Sequence, residues 1–544
     1  MNIHKIFYWS LIPLFLLINI GLGSWGLTES SEARYAEISR EMVLNHEYLH
    51  PTLLGIKHYH KPPITYYITV MGYQIFGINE YGARFFLSVA LVFQLLLVFK
   101  ISKLLFNDLK VALAAAIIYF SFPIVLIAAR VLTTDAYMAT FVIWSVYWIL
   151  CYKRNRAPRY LYGFFIVLAL AFLTKGPVAV LPVAIFLVVW KVLYKETISL
   201  TIHHYLGFVL CLLLSSSWFL AVMTNTPHFL DYLINDQIIA RSLSAEKFHR
   251  NKPFWYYLIL APLVGFPWLP IMVVCTARAY KKYLKNKTLP LVLLWTIGSL
   301  FILFSAFSSK LVLYILPLFS FMAILSGYLF FLIPFDKIKN YSLFFGLLIV
   351  VLSLFLILGN FIMEIHIDVR YSLMLAVFLI LGLGILYYNT RLQRHYKLMA
   401  FSLLFTIGLI LSYPLFGSKN PNTINTIKNI VALAKEKKGD SIGHLIAFDV
   451  FIPSASFYLN QDIITVKGNT TRVRRDIQFE EDTLYRENLL DISHEKELRR
   501  LQLLLQAKNT VLLVRKKDTV SDLLCDQIAN FKHQIEIDQW RLYY

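Results

Sequence analysis

Charged side chains are scarce in this chain: Asp, Glu, Lys and Arg make up 15% of 544 residues, where a soluble domain carries about a quarter. With 58% of residues hydrophobic, water alone is excluded as its solvent. Cysteine is nearly absent. Of the four, Cys151, Cys211 and Cys275 fall in or beside apolar runs and Cys525 stands alone near the end, a spacing that excludes a disulfide framework and a cysteine metal site. There is no Gly-rich phosphate loop, GxSxG, HExxH, internal repeat or low-complexity linker, so the enzyme classes that those motifs mark have no support. The apolar run at the amino terminus lacks a small-residue cleavage pattern and reads as a retained first span. Acidic residues are outnumbered 32 to 52, for a net charge of +20, but the Lys and Arg residues sit in short loops between apolar runs. Membrane topology explains them, and no nucleic-acid partner is expected.

What the chain has in plenty is apolar length. A helical span takes about 20 residues, and roughly 13 such stretches precede residue 418. The first runs from Phe7 to Trp25 and the second from Gly82 to Phe106; others begin near Val111, Leu132, Tyr160, Val178, Tyr205, Phe254, Pro290, Leu311, Tyr341, Tyr371 and Met399. Alternate loops are basic, as at Lys153, Arg154, Arg156 and Arg159 or at Arg278, Lys281, Lys282, Lys285 and Lys287, which places them in the cytoplasm and the intervening loops outside. An odd number of spans puts the tail outside as well. The expected organisation is a polytopic α-helical membrane domain over residues 1–417, with loop helices within 28–81, and a second domain over 418–544. In that tail Thr423–Lys438 and Glu495–Gln506 have helical spacing, while His444–Phe448, Ile463–Val466 and Val511–Val514 read as strands, predicting an α/β unit.

The outer loops hold more acids, bases and histidines than connectors need. In the first, Glu32–Val43 sets Tyr35, Ile38 and Met42 on one side and Arg34, Glu37 and Glu41 on the other, predicting an interfacial amphipathic helix. Pro62 and Pro63 open a second helix, ITYYITVMGYQIF. On the same side of the membrane fall His60, Lys61, the turn at Arg130, Asp135, Lys175, Asp236, Arg241, His249, Arg250 and Lys310. Charges at the hydrocarbon boundary are costly and are generally paired or functional. A reaction at a lipid phosphate needs cations for the leaving group, an acid or base near the acceptor, and walls against water. Lys61, Arg34, Lys175, Arg241 and Lys310 are candidates for the first, Glu32 and Asp135 for the second, and the loop helices for the third. The imidazoles of His60 and His249 suit zinc, although two separate hydrogen-bonded histidines are the plainer reading of their spacing.

Several of these segments resemble a known family. SEARYAEISREM and HYHKPPITYY resemble the D-E-x-R-Y-A-E-I and E-K-P-P-L-x-Y-W elements of the bacterial transferases that move aminoarabinose from undecaprenyl phosphate to lipid A, which are relatives of the protein O-mannosyltransferases. TTDAYM (Thr133–Met138), LTKGP (Leu173–Pro177), HRNKPFWYY (His249–Tyr257) and SSKLVLYILPLFS (Ser308–Ser320) follow in the family's order. The resemblance implies the C-type glycosyltransferase architecture in a bacterial inner membrane, a carrier cavity beneath the outer loops and a periplasmic α/β tail. It implies a polyprenyl-phosphate-linked sugar as donor and lipid A or another envelope glycan or protein as acceptor. Lys61 matches the lysine that contacts the carrier phosphate, and Asp135 the second acid of the family's site. His249 matches a metal-ligand histidine and His60 stands where the family has a Glu ligand, so a divalent metal such as zinc is implied. Tyr35 and Tyr314, inside two of the shared segments, join the substrate-binding candidates.

Ser31 occupies the place of the family's first-loop Asp. The acid then falls to Glu32 or Glu29, or is dispensable where the acceptor is a phosphate and already nucleophilic. Protein O-mannosylation, with a hydroxyl acceptor, would need that base. A lipid transporter is the non-enzyme alternative; against it stand the lack of paired broken helices in matching halves and polar residues confined to one membrane face.

Overall fold

The computed structural model describes residues 3–235, 252–333, 369–387 and 394–544 apart from positions 30, 198, 440–441, 469–472, 474, 482, 519 and 521, together with positions 350, 351, 354 and 358. From the amino terminus, α1 (Ile3–Asn19) leads to α2 (Glu32–Asn45), a hairpin of β1 (Thr52–Leu53) and β2 (Ile56–Lys57), and α3 (Ile64–Phe76). Then come α4 (Glu80–Phe106), α5 (Leu109–Phe120), α6 (Pro123–Ala128), α7 (Thr134–Asn155), α8 (Pro158–Lys175), α9 (Leu181–Tyr194) and α10 (Ile202–Asn225). Among the described residues 8 helices are long and apolar enough to cross a membrane, with three shorter apolar helices beside them. The chain is a multi-pass membrane protein. The stretch expected to span from Phe254 is instead two helices, Tyr256–Val264 and Trp268–Leu284, bent by 105°. Pro262 and Pro267 each remove a ladder N–H around Gly265, which accounts for the break. The span expected from Tyr341 lies outside the described residues.

Lipid tails are as apolar as leucine, so burial of apolar surface cannot by itself order helices inside a bilayer; close approach and hydrogen bonds must contribute. Gly72 of α3 provides one close approach, since a Cβ there would sit 2.1 Å from the Gly82 carbonyl oxygen of α4. Gln94 provides a polar tie among α4, α5 and α7. It donates to the Ala136 carbonyl at 2.9 Å and to Thr140 Oγ1 at 2.7 Å, while accepting from Tyr119 Oη at 2.9 Å.

The loop helix α2 corrects an expectation. Its charged side is not solvated: Glu32, Glu37, Arg40 and Glu41 are all buried, Glu32 against Arg84 of α4, Glu41 against the hairpin at Thr52 and Leu54, and the Glu37–Arg40 pair against the tail. Arg40 donates to both Glu37 oxygens at 2.8 Å and reaches the tail at Ser456 Oγ (3.0 Å) and Asn460 Oδ1 (3.3 Å). Tertiary cover turns a surface pattern into a buried polar seam.

The tail carries a six-stranded sheet in the order β5 (Leu489–Asp491), β4 (Ile464–Lys467), β3 (His444–Phe448), β6 (Thr510–Arg515), β8 (Trp540–Tyr543), β7 (Gln534–Ile537). The first four are parallel and the last two join antiparallel. Side chains alternate with period two between the faces. Leu445, Ala447, Val511 and Leu513 pack with Ile38, Met42, Tyr66 and Val70 of α2 and α3. Ile446, Phe448, Leu512 and Val514 pack with Leu501 and Leu505 of the helix Glu495–Gln506. A sheet covered on both sides reads as continuous apolar strands, and one of its covers here is the first loop of the membrane half.

Glu29 is a buried point of that contact. Its carboxylate accepts from the Ser454 amide at 3.2 Å and from the Ser454 hydroxyl. Burial pushes its pKa from 4.5 up to about 7 against the pull of Ser454, Arg34 and Arg515. A carboxyl that holds its proton more tightly folded than unfolded adds stability that is complete below pH 4.5 and is lost as pH rises through about 7. Protease resistance of the tail should therefore fall across that window, and Glu29→Gln should flatten the dependence.

Candidate active site

The connection between α7 and α8 is two residues long, so the helices run antiparallel, over about 33 and 27 Å at 1.5 Å per residue. The start of one and the end of the other therefore reach the same membrane face. Asp135 lies in the first turn of α7 and Lys175 in the last turn of α8, each the sign that its helix end favours. The two form a buried ion pair. Gly176, with φ of 76°, stops α8 immediately after the lysine. The Lys175 ammonium also lies 3.9 Å from the centroid of the Tyr314 ring, brought in by the short turn Val312–Ile315.

Against this pair lies a cavity of about 50 Å³ lined by Ser31, Arg34, Tyr35, Lys61, Asp135 and Tyr314, among others. Tyr35 projects from α2, and burial raises its phenol pKa. A second cavity, of about 510 Å³, is mainly apolar, with Phe172, Leu212, Trp218, Phe219 and Leu233 in its walls. The two share His60, Lys61 and Lys175. A long apolar groove thus meets a small polar chamber where the cations converge.

His60 has partners that the sequence did not suggest. Its Nε2 lies 2.7 Å from Asp476 Oδ2 in the tail, and its ring centroid is 4.0 Å from that of His58. Tyr232 Oη donates to the same Asp476 oxygen at 3.0 Å. The ligand-type atoms of His58, His60 and Asp476 all lie within 4.8 Å of one another. His58 is fully covered; burial, with His60, Arg34 and Arg475 nearby, holds its pKa well below the usual value, so the ring is neutral. Its Nε2 is a buried atom with no hydrogen-bond partner among the described residues. Two imidazoles and one carboxylate with an orphaned nitrogen fit a divalent ion of the zinc type. The H-x-H spacing at His58 was a signal available in the sequence; Asp476, more than four hundred positions away, had none.

Other candidates fall differently. Arg241 and His249, like Asp236 and Arg250, lie outside the described residues. Lys310 is buried but donates to the Lys252 carbonyl at 2.8 Å rather than lining either cavity. Glu32 is the clearest correction. It accepts from Arg84 Nε at 2.8 Å, Arg84 Nη2 at 2.9 Å, and the Thr28 and Leu132 amides at 2.9 Å each. Both oxygens are saturated and fully buried, so no lone pair remains for acid or base work.

Residues 60–220 match the family described as dolichyl-phosphate-mannose-protein mannosyltransferase. An undecaprenyl phosphate-alpha-4-amino-4-deoxy-L-arabinose arabinosyl transferase of Pseudomonas fluorescens is 31% identical over 326 residues, 58% of each chain. One of Proteus mirabilis is 29% identical over 56% of each. The chain thus matches a little over half the length of these curated relatives. The crystal structure of ArnT from Cupriavidus metallidurans bound to undecaprenyl phosphate superposes with a TM-score of 0.79, covering 99% of this chain and 97% of that one at 18% identity. The chain has the fold of that transferase, and the resemblance to the arabinosyl transferases is borne out.

The saturated carboxylate predicts a structural phenotype. Glu32→Gln leaves the Arg84 guanidinium buried without its counter-charge, at a cost of about 3–5 kcal/mol. Thermal unfolding of the purified variant should show a lowered Tm and yield, while any loss of turnover in the folded fraction stays well below the roughly hundredfold that losing a catalytic contact costs.

Proposed function

We propose that this chain is a glycosyltransferase that takes a sugar from a polyprenyl-phosphate carrier and passes it to an anionic acceptor, such as a phosphate group of lipid A. The observation that carries this reading is the junction of the apolar groove with the polar chamber at Lys61. The groove suits a polyprenyl chain, and Lys61 and Lys175 stand where its phosphate would lie. The acceptor oxygen forms a bond to the anomeric carbon while the bond from that carbon to the carrier phosphate breaks, and the phosphate leaves with the electron pair. Fixed ammonium groups stabilise that charge best where water is excluded. Asp135 holds Lys175 toward the junction, and Arg34 from α2 faces the same chamber.

The carboxylates beside the chamber favour a phosphate acceptor. A hydroxyl acceptor needs a base, but Glu32 is saturated, Ser31 carries no charge, and Asp135 is bound to Lys175. An ionised phosphate needs none. The names of the arabinosyl transferases above point to the same donor class and to an aminoarabinose-like sugar.

The topology in this reading has thirteen spans. Eight long helices, the bent pair and the three shorter apolar helices are joined by the candidate at Tyr341. With the basic loops in the cytoplasm of a bacterial inner membrane, the site and the tail face the periplasm. For a metal, His58, His60 and Asp476 would be the holders among the described residues; His249, which the family resemblance pairs with His60, lies outside them. A divalent ion there would add positive charge beside the chamber that Lys61 lines. The tail would then complete the site rather than only cover it.

Two outcomes test this. Purified protein given a polyprenyl-phosphate-linked aminosugar and lipid A should form a glycolipid detectable by mass spectrometry, and Lys61→Ala should lower the rate about a hundredfold to a thousandfold without loss of folding. Absence of product from the unaltered protein across such donors would remove the proposal. Metal analysis should find zinc that is lost in both His58→Ala and Asp476→Asn; negligible zinc in the unaltered protein would leave the cluster as a hydrogen-bonded strut.

A further inference from the structure

Arg130 plays no part in the site just described, yet it is among the most enclosed charges in the membrane half, at 5% exposure. One of its contacts has a local cause. Pro414, inside the helix Arg394–Lys419, has no N–H, so the Ile410 carbonyl four residues earlier loses its helical donor. Arg130 Nη2 supplies the missing bond at 3.1 Å. The guanidinium also lies 5.4 Å from the Trp25 ring centroid and 5.8 Å from that of Tyr413.

These contacts leave the cation short of a counter-charge. Nη1 is buried with no hydrogen-bond partner among the described residues. Glu32 is saturated by Arg84 and two amides, and no carboxylate forms an ion pair with Arg130 among the described residues. A buried cation at a hydrocarbon boundary without an anion is costly. Beside it opens a crevice of about 290 Å³ between α6 and the helices Val369–Tyr387 and Arg394–Lys419, walled by Leu126, Ile127, Val131, Leu409, Ile410 and Phe416. Ile127 is 40% exposed at its mouth, on a surface that a bilayer would cover. Neither Lys61 nor Lys175 lines it, so it is separate from the groove assigned to the carrier.

We propose that this crevice binds an anionic membrane phospholipid, with its phosphodiester accepting hydrogen bonds from Arg130 and an acyl chain lying along the apolar wall. The planar guanidinium fork matches a phosphate, and the alkyl chain matches the lining; a zwitterionic lipid offers the chain but adds a second cation beside a first. The site also bears on the catalytic face. The Trp25 ring centroid lies 4.5 Å from the Arg84 guanidinium and 5.4 Å from that of Arg130, and Arg130 precedes Asp135 by five residues. An occupied crevice therefore steadies the segment that enters α7.

The full-length protein purified in detergent tests this by native mass spectrometry and thermal unfolding, with phosphatidylglycerol, phosphatidylcholine of the same chains, and inorganic phosphate as three arms. Phosphatidylglycerol should remain bound and raise Tm, phosphatidylcholine should bind at least about tenfold more weakly, and phosphate alone should do neither. Arg130→Gln should weaken phosphatidylglycerol binding about tenfold or more, the scale of a lost charged hydrogen bond. Ile127→Trp, which blocks the mouth and keeps the guanidinium, should do the same, and it decides the matter should Arg130→Gln fail to purify. Equal binding of the two lipids, equal effects of phosphate and phosphatidylglycerol, or unchanged phosphatidylglycerol binding in Ile127→Trp would each overturn the proposal.

Discussion

The pairing of Arg84 with Glu32 is the constraint on which the loop-helix side of the membrane half depends. All five guanidinium N–H groups are used: two on Glu32, and one each on the Leu22, Trp25 and Gly26 carbonyls at 3.0, 2.9 and 2.9 Å. The carboxylate in turn holds the Thr28 and Leu132 amides. One ion pair thereby joins the exit of α1, the entry of α2, the first turns of α4 and the approach to α7. An ion pair stripped of water contributes little net stability, but it tolerates very few arrangements. Its value here is geometric, because the approach to α7 sets the position of Asp135, and Asp135 sets that of Lys175.

Charge around the loop helix α2 thus falls into two groups. Arg84, Glu32, Glu37 and Arg40 are matched donor for acceptor and face protein on all sides. Lys61, Arg34 and the Lys175–Asp135 pair border the chamber, where a ligand with phosphate oxygens can reach them. The same residue types occur in both sets. What separates them is whether the neighbouring backbone and side chains leave space for a ligand.

The tail is part of the same machinery. One face of its sheet rests on α2 and α3, Glu29 seats against Ser454, and Asp476 reaches down to His60. Arg475, next in the chain, donates to the Leu53 carbonyl of the hairpin, and burial brings its pKa down to about 10. A domain held at so many buried polar points cannot shift independently of the loop beneath it, since each point would leave an unpaired group behind.

Much of this was legible without a structure, and the reason is the length scale of the signals. Apolar runs, the helix from Glu495 to Gln506 and the strand from His444 to Phe448 are local patterns, and hydrogen-bond periodicity converts them directly into elements. The loop motifs marked Lys61, Asp135, Lys175 and Tyr314, which do meet around one chamber. Strands such as Leu489–Asp491 and Trp540–Tyr543 were missed because they are short and take their order from neighbours already in place. Glu32 was misread because a carboxylate beside an active-site motif looks the same in sequence whether its partner is a substrate or an arginine fifty-two positions away. The sequence determined which runs are long and apolar enough to cross a membrane and which charged residues fall in the loops between them. Only the tertiary structure decided which of those charges are spent on one another, because saturation of a buried group depends on donors brought from distant parts of the chain.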